Sequence, residues 1–239
     1  MVIRNPLSLK TFLSTFRSLI AVGLDFVYPS YCLACGAKLQ HSELLLCEPC
    51  WQQLPQLPGE LDMNVMARSI EGPIYFSKAI SVWEFTPTVQ QVVHHLKYQN
   101  FRRLAPIMGS FMAARLSCFS LPQDTMLIPI PLHRTRLRER GYNQSALLCQ
   151  AIAKHTGFNY SDKIVRRIRY THTQTALNAA ERRRNVAEAF RVVAPSVLID
   201  KLVILVDDVI TTGATMNACA KELVTIGASD VYLLSAVKA

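Results

Sequence analysis

The stretch that decides the fold is V-I-L-V-D-D-V-I-T-T-G-A-T, which runs from Val203 to Thr215. Its first four residues are apolar and mostly β-branched, without polar alternation, which predicts a strand buried on both faces, as in a parallel sheet. Two acids, Asp207 and Asp208, follow, and a Thr-Thr-Gly-Ala-Thr turn leads into a helical pattern over Met216–Ile226. A turn with hydroxyls and free backbone N–H groups at a helix N-terminus predicts a phosphate-binding cradle.

The adjacent carboxylates indicate that this cradle binds more than a bare phosphate. Asp207 and Asp208 would repel a phosphate beside them, since like charges about 4 Å apart cost roughly 4 kcal/mol at an effective dielectric of 20. The pair makes physical sense if it faces ribose hydroxyls or Mg²⁺, which takes oxygen ligands from one or two carboxylates together with phosphates. An ordinary strand–turn–helix is the alternative, but it would rarely combine D-D and T-T-G-x-T in this order.

The same thirteen residues resemble the phosphoribosyl pyrophosphate (PRPP) motif of type I phosphoribosyltransferases. In that family the acidic pair holds the ribose hydroxyls and the T-T-G-A-T turn wraps the 5-phosphate. The resemblance implies Mg²⁺-dependent PRPP binding by Asp207, Asp208, Thr211, Thr212, Gly213, Ala214 and Thr215.

Composition and length describe a folded chain without a membrane span. The chain has 239 residues, half of them apolar, enough for one large domain or one domain plus a small module. No stretch reaches the ~18–20 apolar residues that a span requires. The N-terminus mimics a signal peptide, but Asp25 interrupts its apolar run and no small-residue cleavage site follows before Tyr31. Helical spacing of its apolar residues predicts an amphipathic helix over residues 1–28.

Four of the seven cysteines form a metal-binding pattern. Two C-x₂-C pairs separated by eleven residues bring four thiolates to one tetrahedral point, which predicts a structural Zn²⁺ module over residues 29–53. Two disulfides are the alternative, but cysteines three apart rarely bridge outside redox motifs. The predicted ligands are Cys32, Cys35, Cys47 and Cys50. Cys118, Cys149 and Cys219 lie singly in apolar helical patterns, as free thiols do in a reducing cytoplasm.

The rest of the chain alternates strand and helix patterns. Prolines and a glycine predict a linker over residues 54–73, and a single domain follows over 74–239. Strands are predicted over Ile74–Phe85, Met126–Leu132 and Val231–Val237, and helices over Val89–Tyr98, Leu104–Phe119 and Gln144–Thr156, the last capped by Asn143. This order predicts an α/β fold: a Rossmann-like, mostly parallel sheet flanked by helices, with a small N-terminal zinc ribbon.

Basic residues are concentrated in the middle of the chain. The net charge is +9, and residues 94–191 alone hold 17 Lys and Arg against five Asp and Glu. Such a stretch predicts a polyanionic partner, with a solvated basic face as the plain alternative. A basic loop after the second strand and a polar arm further on are the predicted single-stranded DNA contacts: Arg136, Arg138, Arg140, Arg166, Arg167, Arg169, Arg182, Arg183 and Arg184. Tyr142, Tyr170 and His172 are interleaved aromatics that could stack on bases.

The order of these motifs resembles the ComF/GntX family from Tyr31 to Ala239. The segments that carry the resemblance are the cysteine pairs, Pro129–Gln144, Thr171–Gln174, Arg182–Phe190 and Asp207–Thr215. The family is implicated in DNA uptake during natural transformation, so the resemblance implies competence-machinery partners and a phosphoribosyltransferase-like domain of the type I fold. It further implies pyrophosphate binding at His133 and Arg134, and a mobile hood over the substrate around residues 171–184.

No nucleobase-recognition hood is evident in the sequence, so the acceptor of any transfer stays unidentified and no catalytic residue is assigned. The alternative function is an active phosphoribosyltransferase that transfers phosphoribosyl from PRPP to an unknown acceptor. Such an enzyme would align the nucleophile and stabilise departing pyrophosphate electrostatically, with groups that serve simple binding equally well.

Overall fold

The computed structural model describes residues 30–70, 72–169 and 189–239, in two compact units that divide between Leu54 and Pro55. The helix predicted over residues 1–28 lies outside the described residues. In the smaller unit the chain turns back tightly, with Cys32 N donating to Ala37 O at 2.8 Å. Helix α1 (Glu48–Gln52) follows Cys47, with proline in its first turn.

A five-stranded sheet forms the centre of the larger unit. Its strands are β1 (Lys78–Glu84), β2 (Met126–Pro129), β3 (Asn159–Tyr160), β6 (Leu202–Ile210) and β7 (Asp230–Lys238). They run parallel in the order β1-β7-β6-β2-β3. A separate antiparallel pair joins β4 (Val165–Arg167) to β5 (Phe190–Val192). The predicted α/β fold with a parallel sheet is confirmed.

The described helices of this unit connect and cover the strands. They are α2 (Met63–Ser69), α3 (Pro87–Tyr98), α4 (Leu104–Leu116), α5 (Arg134–Arg140), α6 (Gln144–Thr156) and α7 (Ala214–Thr225). A 3₁₀ turn, Pro195–Val197, precedes β6. Within the described ranges, no helix has the length and apolar character needed to cross a bilayer.

Part of the stretch 54–73, predicted as a linker, pairs with a strand of the larger unit over residues 55–61. Leu57 N donates to Val82 O at 2.8 Å and Leu61 N to Ala79 O at 2.7 Å, so this stretch runs antiparallel along the edge of β1. Prolines are tolerated there because a strand at the edge of a sheet pairs on one side only, so fewer of its backbone N–H groups are needed for hydrogen bonds. Helix α2 then forms because Asp62 caps it and Met66 is buried in the core.

The basic segment after β2, predicted as a loop, is helix α5. His133 caps its start by accepting from Thr135 N, and Gly141 ends it in the left-handed conformation at φ 76°. The segment that follows is as predicted: Asn143 accepts from Ser145 N at 3.1 Å and begins α6.

Strand β6 is buried on both faces, as its sequence predicts. Val203 to Val206 are all fully buried, and the alternate residues Val203 and Leu205 pack with the α7 side chains in one core cluster. Helices α4 and α6 pack closely at Gly109, where a Cβ atom would lie only 2.3 Å from that of Ala151. The close contact is possible because glycine has no side chain.

The sheet has a topological switch between β2 and β6. The connection through α6 leads from β2 outward to β3, and the connection through α7 leads from β6 in the opposite direction to β7. Ligands of open α/β sheets bind in the crevice at the carboxyl ends of the strands at such a point.

Candidate functional site

A cavity of about 320 Å³ lies at this switch, beyond the carboxyl ends of β2 and β6. The predicted PRPP residues that line it are Asp207, Asp208, Thr211, Gly213, Ala214 and Thr215. Thr212 is outside the lining, but its hydroxyl accepts from Ala214 N at 3.3 Å and so shapes the turn. His133, predicted for pyrophosphate, lines the cavity, and Arg134 is exposed outside it.

The cradle is built around a glycine at the start of α7. Gly213 is the N-cap of the twelve-residue helix α7 and has a φ of 83°. Residues with a side chain are strained in this left-handed conformation, whereas glycine is not. A Cβ at this position would also lie 2.5 Å from Met66 Cε. The backbone around Thr211–Thr215 therefore reaches the cavity at a helix N-terminus, where N–H groups and the helix dipole favour an anion.

Asp207 is half-buried at the cavity. Its Oδ1 accepts from Ser145 Oγ at 2.7 Å and from Asp208 N at 2.9 Å. Burial, and then repulsion from the carboxylate of Asp208, raise the pKa of Asp207 to about 7, although Ser145 and Lys97 oppose the shift. This carboxyl group therefore changes its charge close to neutral pH.

Asp208 is more deeply buried, at 2% exposure, and a hydrogen bond and an ion pair contact its carboxylate. Gln144 Nε2 donates to Oδ1 at 3.2 Å, and Lys97 Nζ lies 2.6 Å from Oδ2. The ammonium group neutralises the buried charge, which an isolated carboxylate could not keep without a large cost.

A chain of polar contacts links this ion pair to α5. Gln144 Oε1 accepts from Arg140 Nη1, and the guanidinium of Arg140 stacks over the ring of Tyr98 at 5.2 Å. Tyr98 follows Lys97 at the end of α3, so two consecutive residues of this helix contact the same network. The network joins α3, α5, α6 and β6 around the acidic pair.

The basic residues predicted for nucleic acid separate into groups in the structure. Arg136, Arg140 and Arg167 line the cavity. Arg138, Arg166 and Arg169 are exposed outside it. Arg182, Arg183 and Arg184, and the polar arm over 171–174, lie outside the described residues, as do Tyr170 and His172.

Tyr142 does not offer a free ring face to a base, contrary to the suggestion from sequence. It is 7% exposed, its hydroxyl donates to Leu96 O, and the guanidinium of Arg102 covers its ring at 4.6 Å. The aromatic ring at the cavity is instead Tyr98, which is 63% exposed.

Sequence reasoning missed four residues of this site: Lys97, Tyr98, Gln144 and Ser145. A lone lysine at the end of an amphipathic helix has no distinguishing pattern. Gln144 and Ser145 directly follow the Asn143 cap and are both buried. Their burial marks them as part of the site, but the sequence shows only that they are polar.

The four predicted cysteine ligands form one cluster in the smaller unit. Their sulfur atoms all lie within 4.8 Å of one another, and Cys35 and Cys47 Sγ are 3.7 Å apart. A Zn–S tetrahedron with bonds of about 2.3 Å has edges of about 3.8 Å, so the cluster is compact enough to surround a single zinc ion. All seven cysteines are free thiols, so the disulfide alternative is wrong.

The backbone favours the thiolate form of one ligand, Cys32, while contacts with neighbouring thiols raise the pKa of Cys50. Burial opposes ionisation of Cys32, but N–H groups of Cys35, Cys47 and Ala34 outweigh it and lower the pKa of its thiol to about 6. Cys47 N lies 3.4 Å from Cys32 Sγ. A thiolate is thus favoured at neutral pH, which is the form that binds a metal.

Comparison with known proteins found similarity both for the cysteine-containing segment and for most of the chain. Residues 23–61 match the model of the double zinc ribbon domain. DNA utilization protein YhgH of Salmonella typhi is 31% identical over 86% of this chain and 95% of that protein. Competence protein F of Haemophilus influenzae is 29% identical over 87% of this chain and 96% of that protein. A hypoxanthine phosphoribosyltransferase of Staphylococcus aureus is similar at 12% identity and a TM-score of 0.40, over 61% of this chain and 71% of that chain.

Proposed function

The chain belongs to the family of competence protein F and DNA utilization protein YhgH, and from this premise we propose that it handles incoming single-stranded DNA in natural transformation. It also binds a phosphoribosyl ligand such as PRPP, with Mg²⁺, in the cavity at the switch of the sheet. Its seven free thiols suit a reducing cytoplasm.

One observation carries the phosphoribosyl part of this proposal. A single cavity holds a glycine-based anion cradle, a half-buried carboxyl group and several cations, among them Lys97, Arg136 and Arg140. Phosphate oxygens fit the cradle, ribose hydroxyls fit the free oxygen of Asp207, and a second anionic group fits the cations. Few ligands besides a phosphorylated sugar with a further phosphate combine these three chemistries.

Each group has a definite part in binding. The N–H groups of residues 211–215 hold the 5-phosphate, and Asp207 accepts from a ribose hydroxyl. His133 and Arg136 lie at the cavity wall near the start of α5, where they bind the pyrophosphate. Mg²⁺, when bound, would neutralise pyrophosphate charge beside the acidic pair, and the oxygen donors present fit its preference.

The DNA part of the proposal rests on charge outside the cavity. Arg134 and Arg138 are four residues apart on α5, so they share a face, and both are exposed. Arg166 and Arg169 add exposed charge near β4. Such a surface attracts a phosphate backbone without regard to sequence.

A second candidate, an active phosphoribosyltransferase, is favoured by a second cavity of about 210 Å³. This cavity shares Lys97, Tyr98, Arg136 and Arg140 with the first, and Tyr142 and Asn100 add to its wall. An acceptor held there would adjoin the phosphoribosyl group. Release of pyrophosphate from PRPP with candidate acceptors tests for transfer, and no release with any of them would favour simple binding.

Calorimetry with PRPP and single-stranded oligonucleotides tests the main proposal. We expect wild-type protein to bind both, and PRPP more tightly with Mg²⁺ than without it. The absence of PRPP binding in both conditions would refute the phosphoribosyl site, and oligonucleotide binding that ignores salt would refute the DNA surface.

A further inference from the structure

We propose that Lys97 is a ligand-binding residue of the cavity, which contacts an anionic oxygen of the phosphoribosyl ligand, and that Asp208 is a positioning residue that holds Lys97 in place. This inference rests on the proposed function and assigns different tasks to the two acids. Asp207 contacts the ligand, while Asp208 acts through the lysine.

The hydrogen bonds of the two acids differ. Gln144 donates to Oδ1 of Asp208, and Oδ2 is buried and forms an ion pair with Lys97 at 2.6 Å, so neither oxygen is open to the cavity. Asp207 uses Oδ1 for Ser145 and for a backbone N–H, and its Oδ2 has no partner among the residues that the structure describes. Only Asp207 therefore has an oxygen ready for a ribose hydroxyl.

Strand geometry explains this difference. Successive side chains of a strand point to opposite faces, so Asp207 lies on the face of Val203 and Leu205, which pack with α7. The cradle begins α7, so Asp207 and the cradle share a side. Asp208 points to the other face, where Lys97 of α3 and Gln144 of α6 contact it, and it is 2% exposed. The start of α6 contacts both acids, since Ser145 donates to Asp207.

Lys97 itself is placed to bind an anion. It lies in the last turn of α3, where the helix dipole favours a cation, and it lines both cavities. Its side chain is 22% exposed, against 3% for that of Asp208. An ammonium group has three N–H donors, so Lys97 can keep its ion pair with Asp208 and still donate to a phosphate oxygen.

A competing explanation is that Lys97 blocks Asp208 until a ligand displaces it. In that case the ligand would have to expel the ammonium and break the contact with Gln144 to reach a buried carboxylate. The two explanations predict opposite signs: removing Lys97 weakens PRPP binding if it is a contact, and strengthens binding if it is a block.

The test is calorimetry of PRPP with Mg²⁺ on Lys97→Met, Asp208→Asn and the double variant, with Lys154→Met as the matched control. Lys154 is an exposed lysine in the last turn of α6, outside the cavity, and its variant should bind as wild type. Lys97→Met should weaken binding by about tenfold or more, as expected for a charge-assisted hydrogen bond. Lys97→Arg should recover most of the loss.

The double variant separates the tasks of the two acids. It restores the net charge of the cavity, so PRPP should bind to it at least as tightly as to Lys97→Met. If the double variant bound about fivefold more weakly than Lys97→Met, Asp208 would itself contact the ligand and the inference would be wrong. If Lys97→Met fails to fold, comparison of the double variant with Asp208→Asn gives the same answer, because the double variant leaves no unpaired buried carboxylate.

A second probe separates this inference from the proposed function. Inorganic pyrophosphate should raise the Tm of wild-type protein and of Lys154→Met, but not of Lys97→Met/Asp208→Asn. A wild type that binds pyrophosphate but not PRPP refutes the phosphoribosyl function and keeps the anion site. If the wild type and the double variant bind PRPP equally well, the role of Lys97 is refuted, but the phosphoribosyl function is not.

Discussion

The hydroxyl of Ser145 donates to Oδ1 of Asp207 at 2.7 Å, across 62 residues of sequence. Ser145 is fully buried at the start of α6, directly after the Asn143 cap, so the same helix start that orders the chain after β2 also orients an acid on β6. The hydrogen bond favours the ionised form of Asp207 and opposes the effect of burial on its pKa.

Ser145→Ala should therefore raise the pKa of Asp207 further and weaken PRPP binding at pH 7 by about fivefold, since hydrogen bonds to charged groups contribute roughly 1.5–3 kcal/mol. NMR titration of the carboxyl carbon of Asp207 measures the shift directly. Raising the pH to 8.5 should recover much of the affinity by ionising the acid. Ser117→Ala removes an exposed hydroxyl bonded only to Ala114 O, and it should change neither quantity.

Asp207 should also make the stability of the protein depend on pH when neither PRPP nor Mg²⁺ is bound. Its folded pKa of about 7 lies above the unfolded value of 3.8, so folding disfavours the charged form. Between about pH 4 and pH 7 the unfolded chain loses this proton first, and the free energy of unfolding falls as pH rises.

Asp207→Asn should remove this loss. The variant should be more stable than wild type at pH 8, by at most about 4 kcal/mol given roughly 1.4 kcal/mol for each pKa unit, and the difference should shrink toward pH 4. Urea unfolding at a series of pH values, in buffer without Mg²⁺ or PRPP, measures it. Equal pH dependence in the two proteins would mean that Asp207 has an ordinary pKa.

The cysteine cluster predicts one tightly bound Zn²⁺ per chain. Cys32→Ser or Cys47→Ser should release the metal and give an aggregation-prone protein, because structural zinc contributes about 10–16 kcal/mol of apparent binding free energy to folding. Cys118→Ser, at an exposed free thiol, is the control and should keep its zinc. Metal analysis of fresh protein decides: a wild type without zinc would contradict the assignment.

The two faces of α5 should have separable effects. Arg134→Ala/Arg138→Ala removes exposed charge and should reduce the salt dependence of single-stranded DNA binding, by a slope of about 0.7 for each phosphate that the variant no longer neutralises. PRPP affinity should stay within about twofold of wild type, since neither residue lines the cavity.

Arg136→Ala/Arg140→Ala removes the same charge from the cavity wall and should mainly weaken PRPP binding. Fluorescence anisotropy at several salt concentrations, beside calorimetry, compares the two double variants. If the two double variants had the same effects on both ligands, the two faces of α5 would not have separate functions.

Much of the fold could be predicted because its strands are encoded locally. Val203–Val206 and Val231–Val237 are apolar runs too uniform for a surface, and Asn143 is an unambiguous cap. The acids were expected after the strand but lie within β6, because pairing with β7 extends to Ile210. The packing of 54–73 was missed because its register on β1 is a tertiary interaction with no local pattern.

The site was predictable only in its continuous part. Asp207–Thr215 is one continuous motif. Lys97, Gln144 and Ser145 contact it from other helices, and their spacing in the sequence gives no sign of these contacts. The alternating arginines of 134–140 did not indicate helix, since arginine is compatible with loop and helix alike. His133 and Gly141 cap that helix, but a histidine is an uncommon N-cap and so a weak sign of a helix start.

The most direct test of the central claim is calorimetry of PRPP with wild type and Asp207→Asn/Asp208→Asn, with and without Mg²⁺. With Mg²⁺ the double variant should bind PRPP more weakly than wild type, by about tenfold, because an acceptor for a ribose hydroxyl is lost. Without Mg²⁺ it should bind as well as wild type or better, because charges that repel phosphate are gone. A double variant that bound PRPP more tightly than wild type in both conditions would contradict the phosphoribosyl site.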